Sequence, residues 1–244
     1  MAELNCTAIK NTAGTLKLYY RYSETSGTVL TDSSGNANSG TASRTNILNN
    51  SGGKFGYGGV FVAASSDVIT LGTTSGIKPT GAFTVGAWVK NVSNGTAMGI
   101  FQVDSQNPNE AGFRCEISDL GVLNFNMGQN TGISGTHVQS ANSTGTVNNG
   151  SWNLVGFTSD GTTMRNWING TIDGTTTITS GFVLAYDTTT YARVGAINFT
   201  GTDVRFYGGT IDDTFLFNGT ALGSTQWTKL YSGYCDGGVI GCDL

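Results

Sequence analysis

Apolar residues in this chain recur at every second position, in short runs broken by Gly, Asn, Asp, Ser and Thr. That period belongs to β-strands with one buried face. The clearest run is 81–90, where Phe83, Val85, Ala87 and Val89 alternate with Thr84, Gly86, Trp88 and Lys90. In 16–22, Leu16, Leu18 and Tyr20 share a face. Further strands are predicted around 60–62 and 68–71, and over 98–103, 112–117, 122–127 and 190–197. WNLVGFTSDG, MRNWING and TIDGTTTI follow one another, with Asp160-Gly161 and Asn169-Gly170 as strong hairpin signals between them. The polar stretch 128–150 shows no alternation and reads as loop.

The stretch FYGGTIDDTFLFNGTAL, 206–222, organises the rest. Strict alternation puts Ile211, Asp213, Phe215 and Phe217 on one side and Asp212, Thr214 and Leu216 on the other. Apolar residues on both sides predict a strand covered on both faces. Two acids there are costly unless backbone N–H groups, a cation or a metal meets them. Asn218-Gly219 closes the strand. Ser224 then reads as an N-cap, with Trp227, Leu230 and Tyr231 at helical spacing and Gly233 as the stop. Roughly a dozen strands and one short C-terminal helix spell an all-β, two-sheet antiparallel sandwich of jelly-roll type. We expect one domain over 14–233, an N-terminal arm over 1–13 and a Cys-containing tail over 234–244.

Composition sharpens this picture. Charged residues are 11% of the chain, against a usual quarter, while 37 of 244 residues are Gly. Such a chain suits an exposed, extracellular or virion-like setting. The net charge of −4 and the lack of a basic stripe argue against nucleic acid. No apolar run reaches membrane-spanning length. MAELNCTAIK has no apolar core of a signal peptide, so either the numbering starts on a processed or cloned chain, or the protein leaves its cell by another route, such as inside a virus released by lysis.

The cysteines stand at 6, 115, 235 and 242, without zinc spacing. Cys115 shares a face with Phe113 and Ile117 and reads as a buried free thiol. Cys235 and Cys242 flank a Gly-rich loop; their spacing fits pairing with each other or with Cys6. In TDSSGNANSGT, 31–41, the oxygen-bearing side chains suit either an Asx-turn or a calcium ion.

Five blocks resemble a laminin-G-like domain of the concanavalin-A-like lectin/glucanase superfamily. In order they are LYYRYSETSGTVLTDSSGNANSGT, GKFGYGGVFV, FTVGAWVK, WNLVGFTSDGTTMRNWINGT, and ARVGA followed by FYGGTIDDTFLFNGTALGSTQWTKLYSG. The resemblance implies a jelly roll with adjoining first and last strands, and hence one disulfide among Cys6, Cys235 and Cys242. It also implies a structural calcium ion held by Asp32, Asn36 and Asp212. The family's Asp-Gly after the GKFG block is replaced here by Val62-Ala63.

Glycanases of the superfamily place two close carboxylates on one strand, commonly as Glu-x-Asp-x-x-Glu. Glu3, Glu24, Glu110 and Glu116 stand in no such motif, and alternation sends Glu116 and Asp119 to opposite faces. His137, the one histidine, has no nucleophile motif to serve. Catalysis is therefore not expected. Arg165 and Trp167 share a face of MRNWING and are the candidate ligand-binding pair, stacking on a sugar or meeting a partner protein; the alternative is that a loop of the same domain covers Trp167. Trp152 and Trp227 read as core. We expect a non-catalytic, lectin-like surface domain of a virion, such as a phage head or tail, decorating or adhering through glycan or capsid contacts. Symmetric self-association would suit that role. A secreted carbohydrate-binding module is the alternative, and a degenerate glycanase the third reading.

Overall fold

The computed structural model describes residues 15–48, 50–72, 74–93, 95–105, 111–129, 138–187, 191–199 and 201–232. Cys6, Cys235, Cys242, Gly233 and His137 lie outside them, as do the expected arm and tail. Eighteen strands and one α-helix occur among the described residues. They are β1 (Leu16–Tyr20), β2 (Val29–Leu30), β3 (Gly40–Ala42), β4 (Asn50–Gly53), β5 (Gly56–Phe61), β6 (Ile69–Leu71), β7 (Phe83–Asn91), β8 (Met98–Ser105) and β9 (Ala111–Ile117). Then follow β10 (Val122–Gln129), β11 (Val138–Thr146), β12 (Asn153–Ser159), β13 (Thr163–Ile168), β14 (Thr171–Thr177), β15 (Tyr191–Val194), β16 (Ile197–Phe199), β17 (Thr202–Val204), β18 (Gly209–Asn218) and α1 (Ser224–Ser232).

Two antiparallel sheets of eight strands face each other. The first runs β14-β13-β12-β7-β18-β5-β4, with β1 paired to β18; the second runs β11-β10-β9-β8-β15-β6-β3-β2. Phe83, Val85, Ala87, Val155, Phe157 and Leu216 of the first sheet meet Phe101, Phe113, Cys115, Phe125 and Val194 of the second in one core. The alternation that predicts strands thus also builds the layer between them. Cys115 is a fully buried free thiol in that layer, and burial pushes its pKa up, which keeps it in the unreactive protonated form.

The first sheet is also buried on its outer face. There Leu16, Tyr19, Trp88, Leu154, Trp167, Phe215 and Phe217 pack under Trp227 and Leu230 of α1. Gly86 and Gly156 pair across β7 and β12 and leave a floor of bare backbone. A Cβ on Gly156 would lie 1.7 Å from Trp227 Cη2, and one on Gly86 would lie 2.5 Å from the Phe215 ring. The helix begins one residue earlier than expected: Gly223, not Ser224, is the cap. Gly223 C=O accepts from Trp227 N–H at 3.1 Å, and Gln226 Oε1 accepts from Gly223 N–H at 3.0 Å.

Two strands depart from the periodicity. The expected loop over 128–150 contains β11, paired with β10. Its inward positions hold the small Ala141, Ser143 and Gly145, so no apolar alternation marks it; Ser143 Oγ accepts from Leu123 N–H at 2.8 Å. The expected strand 190–197 breaks at Gly195, whose φ of +81° turns the chain out of the sheet. β16 and β17 then form a hairpin over the second sheet, where buried Gln102 donates to Asn198 C=O at 3.1 Å and accepts from Asn198 N–H.

Gly156→Ala tests the glycine floor. It should cost about 3 kcal/mol in urea denaturation, because the new methyl displaces Trp227 and with it α1. An unchanged midpoint would contradict this packing.

Candidate functional site

The acid pair of β18 does not diverge. A bulge between Asp212 and Phe215, with Asp213 at φ +47°, turns both carboxyls toward the outer face. Asp212 Oδ2 accepts from Lys54 and Phe55 N–H at 2.8 and 3.1 Å, and its Oδ1 from Asp213 N–H at 2.8 Å. Asp213 Oδ1 accepts from Tyr19 O–H at 2.5 Å, while its Oδ2 is enclosed without a partner. Burial raises Asp212 to about 6 against those three N–H groups. Burial and the neighbouring Asp212 charge raise Asp213 well above the carboxylate range, with Tyr19 and Arg21 opposing. The two side chains are 1% and 5% exposed, so no substrate reaches them.

Trp167, expected to offer an open ring beside Arg165, is 1% exposed. It stacks on Trp227 at 5.5 Å and donates from Nε1 to Thr158 Oγ1 at 3.0 Å. The helix covers it, because a large ring on the outer face of the first sheet completes the second core. Arg165 holds Asp160 at 2.7 Å beside the β12–β13 turn. Burial pulls Asp160 up, but the bonds from Arg165, Thr162 and Thr163 outweigh it and keep the carboxyl well below its usual range.

The residues expected to share a calcium ion are already engaged. Asp32 Oδ1 accepts from Tyr19 and Ser34 N–H, and its Oδ2 from Ser34 O–H and Asn38 N–H, closing an Asx-turn. Asn36 Nδ2 donates to Leu16 C=O at 2.9 Å. Each carboxylate oxygen of Asp32 and Asp212 faces donors, the wrong polarity for a cation's neighbours. Among the described residues no three His, Cys, Asp or Glu side chains cluster as metal ligands. This donor set does not fit a shared ion.

The outer face of the second sheet is different. Phe113, Cys115, Ile117, Leu123, Phe125 and Ala141 point inward, so Arg114, Glu116, Asn124, Asn126, Ser140 and Asn142 point out. Register aligns them in two rows, Arg114–Asn126–Ser140 and Glu116–Asn124–Asn142, across three strands about 10 Å wide. Asn126 Oδ1 accepts from Ser140 O–H at 2.6 Å. The β16–β17 hairpin sets Phe199 at one side, with the Arg205 and Arg114 guanidiniums 5.3 and 5.9 Å from its ring centre. Arg205 also holds Glu116 at 2.5 Å. Amides that both donate and accept, an aromatic ring and a guanidinium are the groups that read sugar hydroxyls, ring faces and anions. Alternation in FRCEI and LNFNM already turns these residues outward; what sequence reading misses is the register that joins them.

Two measurements check these assignments. Raised carboxyl pKa values mean the fold binds protons more tightly than the unfolded chain. The Asp212 contribution is complete below about pH 4 and is lost as pH rises through about 6, and the Asp213 contribution has the same sign. Urea denaturation should therefore show stability falling from pH 5 to pH 8, and Asp213→Asn should add about 1–3 kcal/mol at pH 8. A wild type that gains stability over that range would refute the buried pair. For the ion, melting with chelator and with excess calcium should give one midpoint; a clear rise with calcium would restore the ion to the loop.

Comparison with known proteins places the architecture. No curated protein matches the sequence. The binding domain of Paraclostridial Mosquitocidal Protein 1 superposes with a TM-score of 0.68 at 14% identity over 90% of this chain and 52% of that one. The binding domain of botulinum neurotoxin DC, solved with rat synaptotagmin II, gives 0.63 at 15% identity over 90% and 51%. This chain therefore spans about half of those two toxin domains. The Ruminococcus gnavus sialidase CBM40 module, bound to α2,3-sialyllactose, gives 0.55 at 16% identity over 64% and 84%. A laminin G family model, described as concanavalin A-like lectin/glucanases superfamily, matches residues 63–226, and the chain belongs to that family.

Proposed function

We propose that this chain is a non-catalytic, lectin-like recognition domain that binds glycans on the outer face of its second sheet. The observation that carries this reading is the polar surface of Asn124, Asn126, Ser140 and Asn142, bordered by Arg114 and Phe199, with the buried Glu116 holding Arg205 at its side. The first sheet cannot serve, because α1 occupies its outer face. The paired carboxyls of β18 are shut away from solvent and so offer no acid and nucleophile to a glycosidic bond. Similar folds bind sialyllactose in the CBM40 module and a protein receptor in the neurotoxin domain, which supports recognition as the shared use of the architecture.

The proposal extends to display on a virion surface, such as a phage head or tail, in keeping with an 11% charged, Gly-rich β protein. The CBM40 likeness favours a second reading, a secreted carbohydrate-binding module. Particle purification separates the two: a virion protein co-purifies with the particles, and a secreted module stays in the supernatant.

A glycan array tests the binding itself. The wild type should select glycans, and Asn124→Ala with Asn126→Ala should weaken them about tenfold or more at an unchanged melting midpoint. Binding that survives this pair of changes, or hydrolysis of any glycan lost on changing Glu116, would contradict the proposal.

A further inference from the structure

The arginines of this fold are not equally satisfied. Arg44, Arg165, Arg193 and Arg205 each hold a carboxylate at 2.5 to 2.9 Å. Arg114 does not. Its nearest acid is Glu116, 3.8 Å away, and Glu116 is already taken by Arg205 at 2.5 Å. Among the described residues no hydrogen bond reaches the Arg114 side chain, which is 15% exposed, and its Nε is enclosed with no acceptor in hydrogen-bond range. A guanidinium 15% exposed, with one ion pair at 3.8 Å and no hydrogen bond in exchange for the water it has lost, is costly, and a fold that keeps one calls for an explanation.

We propose that Arg114 is an anion subsite within the second sheet's outer face, and that it takes the carboxylate of an acidic sugar residue. The assignment deepens the glycan-binding reading above and rests on it. A carboxylate matches the planar fork of a guanidinium, two N–H donors to two oxygens, and with Nε enclosed beside Glu116 the donors here are those of the Nη groups. The charge also allows it: Arg114, Arg205 and Glu116 are two cations and one anion, a local excess of one positive charge in a chain of net −4. Beside Arg114, Asn126 and Asn124 stand in register to meet the hydroxyls of the same sugar, and Phe199 covers the far side of the guanidinium. The site therefore separates acidic from neutral sugars at one residue, while its amides stay common to both.

The test compares sialyllactose with lactose, which lacks the carboxylate, and follows the Arg114 Nε–H resonance by NMR. Sialyllactose should shift that resonance and lactose should not. Arg114→Gln should weaken sialyllactose about tenfold or more, and by a much larger factor than it weakens lactose. Arg114→Lys should recover only part, since the charge returns without the fork. Equal binding of both sugars, weakened by Asn126→Ala but not by Arg114→Gln, would overturn the anion subsite and leave the glycan reading standing. If no glycan binds but free glucuronate shifts the Nε–H signal, the subsite stands and the glycan reading falls. A resonance that stays fixed with every acid probe means that water alone serves Arg114, and the proposal is wrong. The wild-type spectrum decides this even if a variant fails to fold.

Discussion

The Trp227 ring lies on the bare backbone of Gly86 and Gly156, and much of the molecule follows from that contact. A side chain at either glycine would fill the space the ring needs. With the ring in place, α1 lies against the first sheet and stacks Trp227 on Trp167 at 5.5 Å. Leu154, Phe215 and Phe217, facing away from the main core, are then buried as well. A sheet with apolar residues on both faces needs such a cover, since exposed rings of this number would be an aggregation surface. The cover also bears on the proposed function. One sheet has both faces used for stability, so the proposed recognition surface falls on the other.

The bulge at Asp213 belongs to the same logic. Without it, one acid of β18 would point into the apolar core between the sheets. With it, both acids turn outward, Asp212 onto its neighbour's N–H and the two N–H groups of Lys54 and Phe55 that tie β18 to the β4–β5 turn, and Asp213 onto Tyr19 of β1. The pair joins three segments distant in sequence. Its cost is proton-linked, because burial favours the neutral form of each.

Much of this was legible in the chain itself. Alternation in β7, β9, β10 and β12 gives the core face residue by residue, and the turn residues at 160–161 and 169–170 mark the hairpins. Three things were not legible, each for a physical reason. β11 carries small inward residues, so backbone pairing and not hydrophobic period defines it. The bulge shifts alternation by one place after Asp212, and no residue type announces it. Trp167 looks the same in sequence whether a helix covers it or solvent does. The proposed recognition surface escaped for a fourth reason: Arg114 and Asn126 sit on different strands, and only the register sets them side by side.

The central claim is that ligands meet the second sheet and not the first. Backbone NMR shift mapping with sialyllactose tests it most directly. The account predicts perturbed amides at 114–116, 124–126 and 140–142, with 88, 167 and 227–231 unmoved. Perturbations confined to the helix-covered face of the first sheet, with β9, β10 and β11 silent, would contradict it.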